Sequence, residues 1–423
     1  MMLRILLALA LAGCAPAQPM ALNLTEAKRM AVQNSPGLAA SRYSAEAAHL
    51  IPIELRTALA PTFAGNATLV GADSASRLAA GALNNPALYS RFAMGVSLTQ
   101  LLTDFGRTKA VVESAKLRAE AQDQASETAR ASVVITAVRA YFAVLRGNSV
   151  LKVAERTVAA RRTVAEQVAA LADSKLKSGL DVSFARVNVA DAELFLSQAN
   201  NVLASSEAEL AAALGLPGDT RFSLAEEANP EPLPDSVEAL VSQALTERPE
   251  ARDIKLQVSA AERFTQAEKA LKYPSVSIAG ATGIVPTGEH FVPDKYGAIG
   301  VNLNIPIFNG GLFKARQAEA ELRAKAVGAN ASDLGNRIAR DVRIAYLSAK
   351  TAFERVALNQ QLLKQAELSL DLAQGRYDLG LSSIVELSQA QLNVTAAQIG
   401  VASATYEYQA QRAMVDYQTG ALR

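Results

Sequence analysis

The sequence predicts a mainly α-helical protein with a small membrane β-barrel, assembled from two copies of one structural unit. Three observations predict it. The chain is self-similar at a spacing of 213 and then of 205. Short segments of alternating polarity flank loops rich in Gly, Pro, Asn and Asp. Two long stretches, Gly106 to about Leu171 and Leu312 to about Leu379, contain no proline and keep apolar residues at helical spacing.

The self-similarity comes first because it fixes the order of elements. Pro36 recurs as Pro249, Ala47 as Ala260, Ala48 as Ala261 and Pro61 as Pro274, all at the first spacing. From Gly95 the second spacing takes over, pairing Gly95 with Gly300, Val96 with Val301, Leu98 with Leu303, Lys109 with Lys314, Tyr141 with Tyr346 and Gly215 with Gly420. One register held over so many positions is a duplication. The difference between the two spacings falls between Pro61 and Gly95 and between Pro274 and Gly300, within Gly71 to Pro86 and Gly283 to Asp294. Length variation between matched elements belongs in exposed loops. The repeats are expected at 14–215 and 236–423, each running helix, strand, loop, strand, long helix, tip turn, helix.

The N-terminus reads as an export signal over 1–13. Arg4 is the charged flank, Ile5 to Ala12 is apolar but too short to span a bilayer, and Leu11-Ala12-Gly13-Cys14 resembles a bacterial lipobox. On that reading Cys14 carries a lipid as the mature N-terminus; the alternative is ordinary cleavage near 17–21. No later run of about 18 uncharged apolar residues exists, so no transmembrane helix is expected. Cys14 is the only cysteine, which rules out an intrachain disulfide, and His49 and His290 lack partners at metal-ligand spacing. No cofactor is expected beyond the lipid on Cys14.

A helix from Thr25 to Leu59 leads into the first strand pair, 62–101; the second pair occupies 275–308. Ser275-Val276-Ser277-Ile278 and Val301-Asn302-Leu303-Asn304-Ile305 alternate strictly, as do Val96-Ser97-Leu98-Thr99. Alternation gives a sheet one apolar and one polar face. A half-buried sheet in a soluble domain would show the same pattern. Strands of about 9–11 residues, however, suffice to cross a bilayer when tilted. Tyr89, Phe92, Phe291 and Tyr296 near the loop ends, with Phe105 and Phe308 at the other ends, fit two aromatic girdles. Open strand edges are not tolerated in lipid. Four strands therefore need other subunits to close a barrel, and three chains would supply twelve. Ser275, Ser277, Asn302 and Asn304 would face the water-filled lumen.

In the first long helix Val134, Val138, Tyr141, Leu145 and Val153 mark an apolar stripe; Leu334, Ile338, Val342 and Ala345 do so in the second. Each long helix would run ~100 Å, and each flanking helix, such as Asp181 to Leu214, ~50 Å. The proline-rich interval 216–235 is the linker, expected to wrap the outside of the helices at their middle. Composition agrees with close helix packing: half the residues are hydrophobic, 5% aromatic, none Trp. Forty-two basic against 41 acidic residues leave +1, with no case for a nucleic-acid partner.

The tip turns lie at 173–182 and 376–386. Arg376-Tyr377-Asp378-Leu379-Gly380-Leu381 leads into Ser382-Ser383-Ile384-Val385-Glu386, and Lys175-Leu176-Lys177-Ser178-Gly179-Leu180-Asp181 corresponds to it. These segments resemble the helix-hairpin tips of the TolC-like outer-membrane efflux protein family. The resemblance extends to Leu24-Thr25-Glu26-Ala27, Asn34-Ser35-Pro36 and Pro306-Ile307-Phe308-Asn309-Gly310-Gly311, and covers nearly the whole mature chain.

The resemblance implies a homotrimer with a twelve-stranded barrel in the lipid of a Gram-negative outer membrane, continued by a twelve-helix tunnel into the periplasm. It also implies docking onto a periplasmic adaptor (a membrane fusion protein) and an inner-membrane pump, as a passive conduit for efflux or type I secretion. Adaptor contact would fall to Lys177, Ser178, Gly179, Leu180, Arg376, Tyr377, Gly380, Leu381 and Ser382. Asp181 and Glu386, just inside the returning helices, would form carboxylate rings at the closed entrance, though both also fit capping boxes. Lys175 stands at the register position of Gly380, so the two turns are expected to differ in shape. Two rivals remain: a periplasmic coiled-coil adaptor or structural protein, and an enzyme, for which no nucleophile elbow, metal cluster or phosphate loop appears.

Overall fold

The computed structural model describes residues 19–71, 91–228, 233–234, 236–286 and 294–422. Cys14, Tyr89, His290, Phe291, Pro230, Pro232 and most of both loop expectations lie outside the described residues. The elements are β1 (Met20–Leu22), α1 (Leu24–Asn34), α2 (Pro36–Arg56), β2 (Thr62–Val70), β3 (Arg91–Thr103), α3 (Arg107–Asp173), α4 (Gly179–Leu214) and β4 (Phe222–Leu224), then α5 (Val237–Glu247), α6 (Pro249–Lys269), β5 (Ser275–Ile284), β6 (Lys295–Asn304), α7 (Leu312–Asp378) and α8 (Ile384–Thr419). The fold is mainly helical with a small β part. Both ends of α5 and α6 repeat those of α1 and α2 at the first spacing, and both ends of α7 and α8 repeat those of α3 and α4 at the second.

Three expected boundaries are corrected. The helix expected over Thr25–Leu59 is two helices, because Ser35 precedes a proline and leaves the α region. Pro36 then opens α2, where its missing N–H costs nothing, and the Ser35 hydroxyl accepts from the Leu38 N–H at 3.2 Å. In the strand pairs, β3 runs past residue 101 to Thr103, whereas β6 stops at Asn304 rather than 308. Among the described residues, α3 contains a stretch that is long and apolar enough to cross a membrane by length and composition, contrary to expectation. Half of that stretch is buried in helix packing.

Chain contacts gather two compact units. One contains Ser126–Ala251, Gly335–Arg423 and the described residues up to Ser41. Its core is built on the expected α3 stripe: Val134, Val138, Tyr141 and Leu145 are buried against Leu210 and Leu214 of α4, Ala27 and Ala31 of α1, Leu22 of β1 and Phe222 of β4. Val153 is only half-buried, and Ala154 and Val158 continue the stripe instead. Gly147 lets α4 approach, since a Cβ there would sit 3.3 Å from the Leu203 backbone. Part of the linker is structured: β4 pairs in parallel with β1. The Tyr141 hydroxyl donates to the carbonyls of Ala225 (2.6 Å) and Leu22 (3.3 Å), tying that ribbon to α3. Burial, then the Glu227 carboxylate, push the Tyr141 phenol up to about 12.

The other unit, Arg42–Ala125 with Arg252–Leu334, holds the four-stranded antiparallel sheet in the order β2-β3-β5-β6. In its helical part the Ser114 hydroxyl of α3 donates to the Ala260 carbonyl of α6 at 2.7 Å. Arg316 of α7 pairs with the buried Glu268 of α6 at 2.9 Å.

Candidate functional site

The sheet presents two chemically different faces. The pairing registers place Phe63, Ala67, Leu69, Phe92, Met94, Val96, Leu98, Val276, Ile278, Ile284, Ile299, Val301 and Leu303 on one face, with Gln100, Thr282 and Lys295 as its polar members. Thr62, Asn66, Thr68, Ser97, Thr99, Ser275, Ser277, Asn302 and Asn304 share the other with Ala, Gly, Leu101 and Tyr296. Ser275 lies opposite Asn304 and Ser277 opposite Asn302, so the four residues expected to face water do share one face. The apolar face is not covered: Phe63, Leu69, Ile299 and Val301 are exposed. Among the described residues β2 and β6 each pair on one side only, leaving two bare edges.

A glycine pair lies near the loop end of the seam between β3 and β5. Gly95 and Gly283 are directly opposed across β3 and β5, and the Tyr296 side chain lies over both on the polar face. A Cβ on Gly283 would lie 2.4 Å from the Met94 carbonyl oxygen and 2.6 Å from the Tyr296 hydroxyl. An aromatic ring over a cross-strand glycine pair seals the gap that the missing side chains leave.

The helix tips form the second candidate. Contrary to expectation, the two turns have the same backbone shape. Lys175 takes a left-handed φ of 60°, like Gly380 at 74°. Leu176 N–H bonds the Leu171 carbonyl and Lys175 N–H the Ala172 carbonyl; Leu381 with Arg376 and Gly380 with Tyr377 repeat both bonds in the second copy. This closure satisfies the last carbonyls of a helix regardless of side chain, and the lysine bears the steric cost of its Cβ. Replacing Lys175 by glycine is therefore expected to stabilise the protein by about 1 kcal/mol. A rise in the thermal unfolding midpoint checks this; a fall would mean that the lysine side chain contributes more than its strain costs. Gly179, by contrast, is simply the first residue of α4.

Each returning helix is capped by a serine, but the two acidic residues differ. Ser178 accepts from the Asp181 N–H at 3.2 Å, and the Asp181 carboxylate accepts from the Ser178 N–H at 3.0 Å, which completes a capping box. Hydrogen bonds donated to it by the Ser178 N–H and then by the Ser178 hydroxyl, 2.9 Å away, hold the Asp181 carboxyl below its usual range. The stabilisation is thus present at neutral pH and lost as pH falls below the ordinary carboxylate range. Ser383 accepts from the Glu386 N–H at 3.3 Å, but the Glu386 carboxylate turns instead to Arg376, 3.6 Å away. Arg376 and Glu386 share a groove between α7 and α8 with Leu372, Val385 and Gln389.

Tyr377 departs from the other expected contact residues because it is buried, 6% exposed, in a small core with Val168, Ala185, Ile384 and Leu387. The Lys177 ammonium sits over its ring, 4.1 Å from the centroid, linking the two tips. Burial, then Asp181 and Asp378, push the Tyr377 phenol up. Exposed apolar groups at the tips are Leu176, Leu180, Leu379, Leu381 and Val385. Leu176, Leu379 and Val385 are not among the expected contacts. Also unforeseen is a buried polar cluster among α3, α4 and α8. Arg161 donates to the Gln391 side chain and to the Ser388 carbonyl (3.3 Å), and Asn188 donates to the Ser388 hydroxyl (2.8 Å).

Comparison with known proteins gives these features a common setting. The model of the outer membrane efflux protein family matches residues 28–216 and 240–421. The toluene efflux pump outer membrane protein TtgC of Pseudomonas putida is 26% identical over 310 residues, 72% of this chain and 63% of its own length. The chain thus spans less than two thirds of that relative. The outer membrane protein TolC of Escherichia coli is 23% identical, over 74% of this chain and 66% of its own. The fold of the outer-membrane channel OprN superposes with a TM-score of 0.83 at 18% identity, covering 94% of this chain and 90% of that one. VceC of Vibrio cholerae gives 0.79 at 20% identity, covering 94% and 96%.

Proposed function

The chain belongs to the outer membrane efflux protein family and to the outer membrane of a Gram-negative bacterium, and we propose that it is the channel subunit of a tripartite efflux or type I secretion system. Three copies close a twelve-stranded barrel and continue as a twelve-helix tunnel, through which cargo passes passively. The lipid on Cys14 anchors the N-terminus. One observation carries this reading: a four-stranded sheet whose apolar face is exposed, whose other face is polar, and whose two edges lack partners among the described residues. Lipid supplies a solvent for the first face, a water-filled lumen for the second, and neighbouring copies for the edges.

The duplicated exposed set at the tips, Leu176 with Leu381 and Leu180 with Val385, offers an apolar surface for a periplasmic adaptor. Around it Lys177, Ser178, Gly179, Arg376, Gly380 and Ser382 supply polar and backbone contacts, while Tyr377 holds the tips in shape from within. The inner-membrane pump provides the energy. Asp181 serves as a helix cap, and Glu386 is the gate and selectivity residue.

Conductance of the purified protein in planar lipid bilayers tests the channel. Discrete current steps are expected, larger or more frequent when Arg376 is replaced by alanine to free the tip. A soluble monomer that carries no current, in wild type and tip variants alike, would leave the reading of a coiled-coil adaptor in its place.

A further inference from the structure

The apolar face of the sheet carries a groove that crosses the strands. Asn66, Gly95 and Gly283 stand opposite one another in a row across β2, β3 and β5, and their backbone forms its floor. Met94 and Val96 rise from β3 on either side of that row, while Gly65 and Ala67 leave the β2 end low. Lys295 lines the β6 end. The hollow measures about 590 Å³, the size of an ordinary ligand cleft. Lys295 is the first residue of β6 and pairs with the last of β5, whereas Ala67 lies inside β2. The groove therefore runs from the loop end of the second hairpin into the body of the first.

Its chemistry is apolar except at one end. The backbone polar groups of the floor are spent in the strand ladder. Of the three polar residues on this face, Gln100 donates its amide to the Leu59 carbonyl at 3.3 Å, and Thr282 its hydroxyl to the Tyr296 carbonyl at 3.0 Å. The Lys295 ammonium has no partner among the described residues, and none of the four strands contains an acidic residue. A lysine on a lipid-facing surface is costly at depth and tolerated at headgroup level, where an anion can meet it.

We propose that this groove binds one anionic phospholipid: an acyl chain fills the hollow, and the headgroup phosphate pairs with the Lys295 ammonium. This rests on the membrane reading above and adds a defined ligand to the face that meets lipid. Barrel strands tilt about 35–45°, so a groove across them slants from headgroup level toward the bilayer interior, as an acyl chain does. A free phosphate would find one lysine and no second donor; a neutral lipid would leave the ammonium unpaired.

The chain contains no Trp, so a single introduced one reports on its own surroundings. Phe92→Trp places it beside the groove, two residues from Met94 on the same face, and Leu303→Trp at the far end of that face. Full-length protein is embedded in phosphatidylcholine discs in which a minor fraction of lipid is brominated phosphatidylglycerol or brominated phosphatidylcholine. At Phe92→Trp the anionic lipid is expected to quench about five-fold more effectively, the worth of one lysine against anionic lipid. At Leu303→Trp the two should quench alike. Lys295→Gln should abolish the preference by removing the charge, and Ala67→Leu by filling the hollow with the charge left in place. Equal quenching at Phe92→Trp, or a preference that survives Lys295→Gln, overturns the site. A preference that survives Ala67→Leu is general attraction of a charge to the bilayer surface, and it overturns the groove. Quenching by neither lipid at either position overturns the membrane reading itself.

Discussion

Replacing Gly283 by alanine is expected to destroy the assembled sheet. The added methyl would lie 2.4 Å from the Met94 carbonyl oxygen and 2.8 Å from the Gly95 Cα, both backbone atoms of the neighbouring strand. Side chains can turn away from a new methyl, but a paired strand must move bodily. Overpacking of this kind costs about 1–3 kcal/mol in ordinary cores, and two backbone clashes this short put it at the upper end. Every 1.4 kcal/mol lowers the folded-to-unfolded ratio roughly ten-fold. The readout is the amount of oligomer that resists unheated detergent gels, expected to fall by ten-fold or more. Tyr296→Phe, which removes only the hydroxyl contact at 2.6 Å, should not rescue it, because the carbonyl clash remains. Gly297→Ala is the control: its methyl would meet only the Thr282 hydroxyl at 3.7 Å, and wild-type levels are expected. Equal loss in both variants would mean that the sheet resists any added bulk, and the glycine pair would hold no special place.

The duplication makes this sheet legible in the sequence, and the glycine pair shows where legibility stops. Alternation in Val96-Ser97-Leu98-Thr99 and Ser275-Val276-Ser277-Ile278 is a period-2 signal, which assigns faces directly. Which strands meet is another matter. That Gly95 faces Gly283 follows from the β3–β5 register, which joins the two repeats across the whole length of α3 and α4 and is contained in no local pattern. Long helices are legible for the opposite reason, since their periodicity is local and their ends bear serine caps and glycine turns. The failure at Lys175 has the same origin. Left-handed backbone is normally announced by glycine, and here the hydrogen bonds of the closing turn impose it on a lysine.

At the tips, motif matching finds the right segments but cannot divide the labour within them. Tyr377 looks like a contact residue in sequence because it stands in a turn; only packing against Val168 and Leu387 shows it to be core. Asp181 and Glu386 share a register and the same Ser-x-x-acid spacing. Asp is short enough to reach back to the cap N–H, while Glu386 reaches Arg376 instead. One methylene and a neighbouring guanidinium separate an acid that completes a capping box from one that joins an ion pair. The buried Arg161 cluster leaves no sequence signal, because an arginine in a long polar helix is ordinarily solvated.

Neutralising Glu386 and neutralising its partner should shift ion selectivity in opposite directions. In the proposed trimer each Glu386 carboxylate stands 3.6 Å from an Arg376 guanidinium of its own chain, so the ring of three acids is countered by three bases. Glu386→Gln leaves three unopposed arginines, and the channel should turn toward anions. Arg376→Gln leaves three unopposed carboxylates, and it should turn toward cations. Rings of like charge at a constriction are strong determinants of ion choice. Reversal potentials under a salt gradient are the measurement, and they should move to opposite sides of the wild-type value. Stability should hardly change, since the pair is about half exposed, 57% and 45%, and such pairs contribute about 0–1 kcal/mol. The serine cap survives as well, because Ser383 bonds the Glu386 backbone N–H and not its carboxylate. Asp181→Asn should behave differently, weakening the capping box at a cost of about 1 kcal/mol with little change in selectivity. If both tip substitutions moved the potential the same way, or neither moved it, Glu386 and Arg376 would be a surface ion pair of the hairpin and the gate would lie elsewhere.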